Sequence, residues 1–232
     1  NIQQTFVLTA GVWVVLPVFG ALPFWIGATD ARVVDGFFEA MSALTTTGST
    51  VFSGLSDLPR GLLLWRGLMQ WFGGIGIIVV AMVFLPMLRV GGMQIFRTEG
   101  FDTFGKILPQ AAAIARSIWT IYLSLTLACT VAYSLVGPGL FDALVHAMTT
   151  IATGGFANYD SSFGQLGAGA EYVAVVFMLA AALPFVRYVQ LLNGSSAPLF
   201  KDSQIRGFFV AIFVVVVILF FWQWAFVSGD LE

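Results

Sequence analysis

Charge is scarce in this sequence: Lys and Arg number 10, Asp and Glu 12, together 9% of 232 residues, against 59% hydrophobic residues. A soluble domain carries about 25% charged residues, so an ordinary water-facing surface cannot be built here and the chain belongs in a bilayer. No basic run and no aromatic-basic interleaving occurs, which excludes a nucleic-acid partner. The single cysteine, Cys129, lies inside an apolar run. That leaves no disulfide framework and no cysteine metal cluster, and the side chain reads as a small packing hydrophobe. Neither Gly-x-Ser-x-Gly nor His-Glu-x-x-His occurs, so an intramembrane enzyme is set aside and the expectation is no catalytic residue. The chain starts at Asn1 with no basic n-region and cleavage site, and both ends are expected to be cut from something longer.

Long charge-free runs take the place of what is missing. Gln4 to Thr29, Gly67 to Leu88, Ser117 to Phe141 and Gly207 to Ser228 each hold the ~20 apolar residues that cross a ~30 Å hydrocarbon core. About Ala170 to Leu192 is read as a further span, with Arg187 near its end snorkelling or buried against the bundle. Pro17 and Pro23 predict a bend near the end of the first span. Gly36 to Thr45 and Leu140 to Thr150 are helix-compatible and too short to cross, so both read as re-entrant half-helices. Each runs into a glycine-bearing polar loop, Thr45-Thr-Thr-Gly-Ser-Thr50 and Ile151-Ala-Thr-Gly-Gly-Phe156. Such loops cannot sit bare in lipid, because each unpaired backbone group there costs several kcal/mol.

The order long, short, long therefore occurs twice. Superposing Gly48 on Gly154, an offset of 106 residues, also lays 62–88 on 168–194. Copies that share order and sense are parallel repeats about an axis along the membrane normal. The fold class expected is an all-α polytopic membrane protein made of tandem helix–pore loop–helix repeats resembling a potassium channel pore. Its units are 1–92, a cytoplasmic link at 93–113, a second unit at 114–194, a link at 195–206, and the first helix of a truncated third unit at 207–232. Arg89, Arg97, Lys106, Arg116, Arg187, Lys201 and Arg206 crowd the links, against Arg32, Arg60 and Arg66 on the loop side. The links are therefore read as cytoplasmic and the loops as entering from outside. Asp30, Asp35, Glu39, Asp57, Asp142, Asp160 and Glu171 would then form an acidic vestibule that concentrates cations.

Selecting a cation in a membrane requires oxygens in place of its hydration shell, and backbone carbonyls facing an axis supply them without a fixed charge. Glycine reaches positive φ cheaply, so Gly48 or Gly154 lets consecutive carbonyls face one side. A half-helix ending at the loop points its partial negative end at the ion. The candidate ion-binding residues are Thr46, Thr47, Gly48 and Ser49 in one loop and Ile151, Ala152, Thr153, Gly154 and Gly155 in the other, with the cation placed at Thr46, Thr47, Ile151, Ala152 and Thr153. Two loops cannot close a ring, so the rest must come from other sequence. Beside this stand further readings. A secondary transporter of another cation or small solute, sodium- or proton-coupled, would use the same loops at the midplane. Gly73-Gly74-Ile75-Gly76 packs helices rather than binding a nucleotide. His146 hydrogen-bonds behind the second loop, while Arg66, Glu39 and Asp142 are functional candidates that reach the interface or pair with one another. The sequon Asn193-Gly-Ser195 is discounted, since it falls on the expected cytoplasmic side.

Phe38-Glu-Ala-Met-Ser-Ala-Leu-Thr-Thr-Thr-Gly-Ser-Thr50, Gln70-Trp-Phe-Gly-Gly-Ile-Gly-Ile-Ile78, Leu85-Pro-Met-Leu88 and Gly91-Gly-Met-Gln-Ile-Phe-Arg97 resemble the Trk/Ktr family of microbial potassium-uptake proteins, closest to its TrkH branch. His146-Ala-Met-Thr-Thr-Ile-Ala-Thr-Gly-Gly-Phe156 and Glu171 to Leu192 resemble its second unit, so the likeness covers almost the whole chain. The resemblance implies four such units in one polypeptide around one pore, each loop giving a quarter of the filter. It also implies potassium as the bound ion with no organic cofactor, a homodimer in the lipid of the bacterial plasma (inner) membrane, and a cytoplasmic nucleotide-binding regulatory ring as partner. In that family, glycine at the filter position goes with potassium and serine in the first loop goes with sodium.

Overall fold

The computed structural model describes residues 2–27, 29–79, 107–192, 194 and 201–226. It divides into a unit of residues 1–182 and a unit of residues 183–232. The end of the span expected at Gly67 to Leu88, the Leu85 and Gly91 motifs, most of the first link and the first half of the second lie outside the described residues.

In the first unit α1 (Ile2–Ile26) is one α-helix through Pro17 and Pro23. It ends shortly after Pro23, whose carbonyl accepts the Gly27 N–H at 3.0 Å. The half-helix α2 (Val33–Leu44) lays Gly36, Ala40, Ser42 and Ala43 on its buried face. These small residues let it approach α1 closely, and Ala21 and Phe24 of α1 join Ala40, Ala43, Leu62, Met69 and Phe156 in one buried cluster. After a 3₁₀ turn at Leu55–Asp57 comes α3 (Arg60–Val79), then α4 (Ile107–Val136) and the second half-helix α5 (Leu140–Ile151). A second 3₁₀ turn, Ser162–Gln165, leads to α6 (Ala168–Ala182).

The helix α3 sits between the two half-helices. A Cβ at Gly73 would overlap the Leu44 carbonyl at the end of α2, and one at Gly74 would meet the Tyr122 hydroxyl and Ala152 just past the end of α5. The glycine pair is thus a packing device, as read from the sequence. Trp65 donates to the Gly20 carbonyl of α1 at 2.9 Å. On the other side Trp71 donates to Thr126 of α4 at 3.0 Å, and Tyr122 donates to the Trp71 carbonyl at 2.9 Å. Cys129 is buried.

In the second unit α7 (Phe185–Leu192) and α8 (Ser203–Phe226) are described. The continuous helix expected from Ala170 to Leu192 is not formed. It stops at Ala182, and Pro184, which lacks an N–H and disfavours helix in the residue before it, stands between the two pieces. Within this unit Arg187 donates to Asp202 at 2.6 Å and to Gln190 at 2.9 Å. Among the described residues, helices long and apolar enough to cross a bilayer cover Arg60–Ile78, Ala115–Val136 and Ser203–Ala225.

Candidate functional site

Both half-helices have 12 residues and end in the same backbone path. Arg32 and Gly139 precede them in matching extended conformations, φ −62 and ψ 155 against φ −60 and ψ 157. At the other end Thr46 N–H bonds Ala43 O and Thr47 N–H bonds Ser42 O, while Thr153 N–H bonds Thr150 O and Gly154 N–H bonds Thr149 O. Positive φ falls at Thr46 (56°) and Gly48 (79°) in one loop and at Thr153 (56°) and Gly155 (73°) in the other. Thr47 and Gly154, between them, do not have positive φ.

This geometry corrects the register. Val33 matches Leu140, Thr46 matches Thr153 and Gly48 matches Gly155, an offset of 107 residues rather than 106. Gly154 falls opposite Thr47. The left-handed residue that needs glycine in the second loop is Gly155, because side chains at φ near +70° are strained. Ile151 and Ala152 correspond to Leu44 and Thr45: Ile151 is the last helical residue and Ala152 its cap, with the Ala152 N–H on Met148 O.

The loops meet each other. A Cβ on Gly48 would overlap the Gly154 carbonyl, so the two backbones are as close there as glycine allows. Beyond the contact lies an open cavity of about 350 Å³, lined among others by Gly48, Thr50, Gly155 and Asp160. Asp160 accepts the Gly54 and Leu55 N–H groups at 2.8 and 3.1 Å, tying the return loop of the first copy to that of the second.

Behind the loops a buried polar frame holds them. Glu39, fully buried, accepts Arg66 Nε at 2.7 Å, the Thr50 hydroxyl at 2.9 Å and the Val51 N–H at 3.1 Å. Arg66, 1% exposed, donates to the Ala157 carbonyl at 2.9 Å and lies 4.3 Å over the Phe156 ring. Glu39 therefore leaves the acidic vestibule to which its sequence position assigned it, since a lone buried carboxylate would be too costly and Arg66 neutralises it. Asp142 is likewise engaged, accepting Asn158 Nδ2 at 2.8 Å, and Asp35 pairs with exposed Arg32 at 2.8 Å. His146 takes the place of Glu39 in the second copy: Asn158 N–H lies 3.3 Å from its Nε2, as Val51 N–H lies on Glu39. Nε2 must then accept, so the proton is on Nδ1, which donates to the Asp142 carbonyl at 2.8 Å. The hydrogen-bonding role read for His146 is the one the structure gives it.

Sequence reading missed Gln70. It is fully buried, and its Oε1 accepts the Phe156 N–H at 3.0 Å. The available signal was an uncharged polar residue within a bilayer-length apolar helix, four residues and so one turn beyond Arg66.

The TrkH family, described as cation transport proteins, matches residues 1–228. The chain is 45% identical to the Trk system potassium uptake protein TrkI of Halomonas elongata, over 95% of this chain and 45% of that protein. It is 42% identical to the Trk system potassium uptake protein TrkH of Vibrio parahaemolyticus, over 94% of this chain and 47% of that one. The crystal structure of the potassium transporter TrkH from Vibrio parahaemolyticus superposes with a TM-score of 0.82 at 38% identity, covering 97% of this chain and 46% of the other. The chain thus spans about half the length of the relatives it matches. With two half-helix loops in one backbone register and a family match over nearly every residue, this all-α membrane chain belongs to the TrkH family of cation transport proteins.

Proposed function

We propose that the chain supplies the first two helix–pore loop–helix units of a potassium-uptake pore, with the carbonyls of Thr46, Thr47 and Gly48 and of Thr153, Gly154 and Gly155 facing the ion path. The observation that carries this is the alternation of φ sign at the ends of two matched half-helices. Left- and right-handed residues in turn rotate successive carbonyls to the same side, which is what replacing a hydration shell requires. Ser49 continues the first loop outward. Ile151 and Ala152 end the second half-helix, whose partial negative end is directed at an ion below the loop. The relatives' names, potassium uptake proteins, support the choice of ion.

The remaining pore loops come from the rest of the same polypeptide. The full protein sits in the inner membrane with its loops opening outward, as a homodimer on a cytoplasmic nucleotide-binding ring. These assignments rest on the charge asymmetry of the links and on the family resemblance.

The test is Gly48→Ser in the full-length protein. Uptake of potassium and sodium is measured over a range of concentrations, and the ratio of their kcat/KM values is expected to fall at least tenfold. An unchanged ratio in correctly inserted protein removes the filter assignment.

A further inference from the structure

Gly154 is a glycine without a backbone reason. Its φ is not positive, and its counterpart in the first loop, Thr47, carries a side chain whose hydroxyl lies 2.8 Å from that of Thr45. What forbids a side chain at 154 is Gln70: a Cβ there would overlap the carboxamide carbon, nitrogen and oxygen of this fully buried residue. The opposite face of Gly154 bears on the other loop, its carbonyl lying where a Cβ on Gly48 would go. Gln70, Gly154 and Gly48 thus form a packed line from α3 through the second loop to the first. Gln70 also accepts the Phe156 N–H two residues further on, so it grips the loop on both sides of Gly155. Its Nε2 has no partner among the described residues, so the carboxamide is held by packing and by this one bond.

We propose that Gln70 is a positioning residue for ion discrimination: its carboxamide stands in for the side chain Gly154 lacks and holds the Gly154 carbonyl against Gly48. This rests on the pore-loop reading above. A cavity behind the loop lets the carbonyls relax toward a smaller ion, whereas a filled space keeps them at the separation a larger ion needs. Gln70→Ala opens that cavity and removes the Phe156 acceptor. Gly154→Ala alone forces the methyl into Gln70. The double variant places the methyl of residue 154 in the space that Gln70 vacates, so the two changes compensate in volume.

The experiment uses the full-length protein in proteoliposomes, reading rubidium and sodium uptake for Gln70→Ala, Gly154→Ala, the double variant and Gly48→Ser. Gln70→Ala is expected to lower the rubidium-to-sodium ratio on the order of tenfold, the scale of one buried hydrogen bond with its packing. The double variant is expected to recover a ratio closer to the unaltered protein than either single change. Where Gly154→Ala yields no folded protein, recovery of a monodisperse species in the double variant reads the same compensation. Proportional loss of both ions at constant ratio in Gln70→Ala marks a merely structural role and overturns the proposal. A double variant no better than the worse single change also overturns it. Gly48→Ser separates the two levels. If its ratio is unchanged the pore-loop reading falls, whereas a shifted ratio there beside an unshifted one in Gln70→Ala overturns only the role of Gln70.

Discussion

In the first motif a carboxylate holds the loop; in the second an imidazole does. Glu39 and His146 occupy the same place in the repeat, and each accepts the N–H of the residue 12 positions on, Val51 or Asn158. The carboxylate brings a charge that must be matched, and Arg66 matches it from α3 while reaching across to Ala157 of the other loop. The neutral imidazole needs no counter-ion and is satisfied within its own copy by Asp142. The first loop is therefore held by a carboxylate and an arginine of its own copy, whereas the second is held by its own His146 together with Arg66 and Gln70 of the first copy. Backbone geometry can repeat while the side chains that enforce it diverge, provided each N–H keeps an acceptor.

Removing the acceptors should expose this difference. Glu39→Ala leaves Arg66 charged and buried without its partner, and is expected to destabilise the full-length protein by about 3–5 kcal/mol. Thermal unfolding in detergent measures this, and Glu39→Ala combined with Arg66→Met should recover much of the loss. His146→Ala orphans the Asn158 N–H and takes the imidazole donor from the Asp142 carbonyl but leaves no charge unpaired, a smaller effect of about 1–3 kcal/mol in the same assay. Equal losses from the two single changes would mean that the charge does not distinguish the copies. The glycines sharpen the comparison further. Gly155→Ala meets no closer neighbour than Met178 Cε at 3.4 Å and bears only the left-handed backbone strain of about 1–2 kcal/mol. Gly48→Ala adds a collision with the Gly154 carbonyl to the same strain, so its loss in a parallel melt should be the greater.

The half-helices were legible because their length and apolar face are written in consecutive residues, and their ends came out within a few positions. The register was not. A Gly-Gly pair offers two partners for Gly48, and residue identity favours Thr-Gly on Thr-Gly, whereas φ sign selects the second glycine. Glu39 reads both as a vestibule charge and as a partner for Arg66 or Asp142; the structure gives the pairing with Arg66, which the sequence could not select because the two lie 27 residues apart on different helices. Gln70 stood out as a polar residue in an apolar helix, yet its role was not legible: it answers the absence of a side chain at Gly154, and no local pattern couples the two. Pro184 did mark the break after Ala182 in plain sequence, yet apolar composition alone carried the expected span across it.

The bond between Arg66 and the Ala157 carbonyl spans 91 residues. At synthesis rates of roughly 5–20 residues per second, the first helix–loop–helix segment waits several seconds for the residue that completes its own brace. During that interval Arg66 can pair with Glu39 alone, and Gly54 and Leu55 lack the Asp160 carboxylate that will fix their N–H groups. The remaining partners of Arg66 and of the Gly54 and Leu55 N–H groups are thus supplied only once the second loop has been made, while the Glu39 contacts need nothing beyond Arg66.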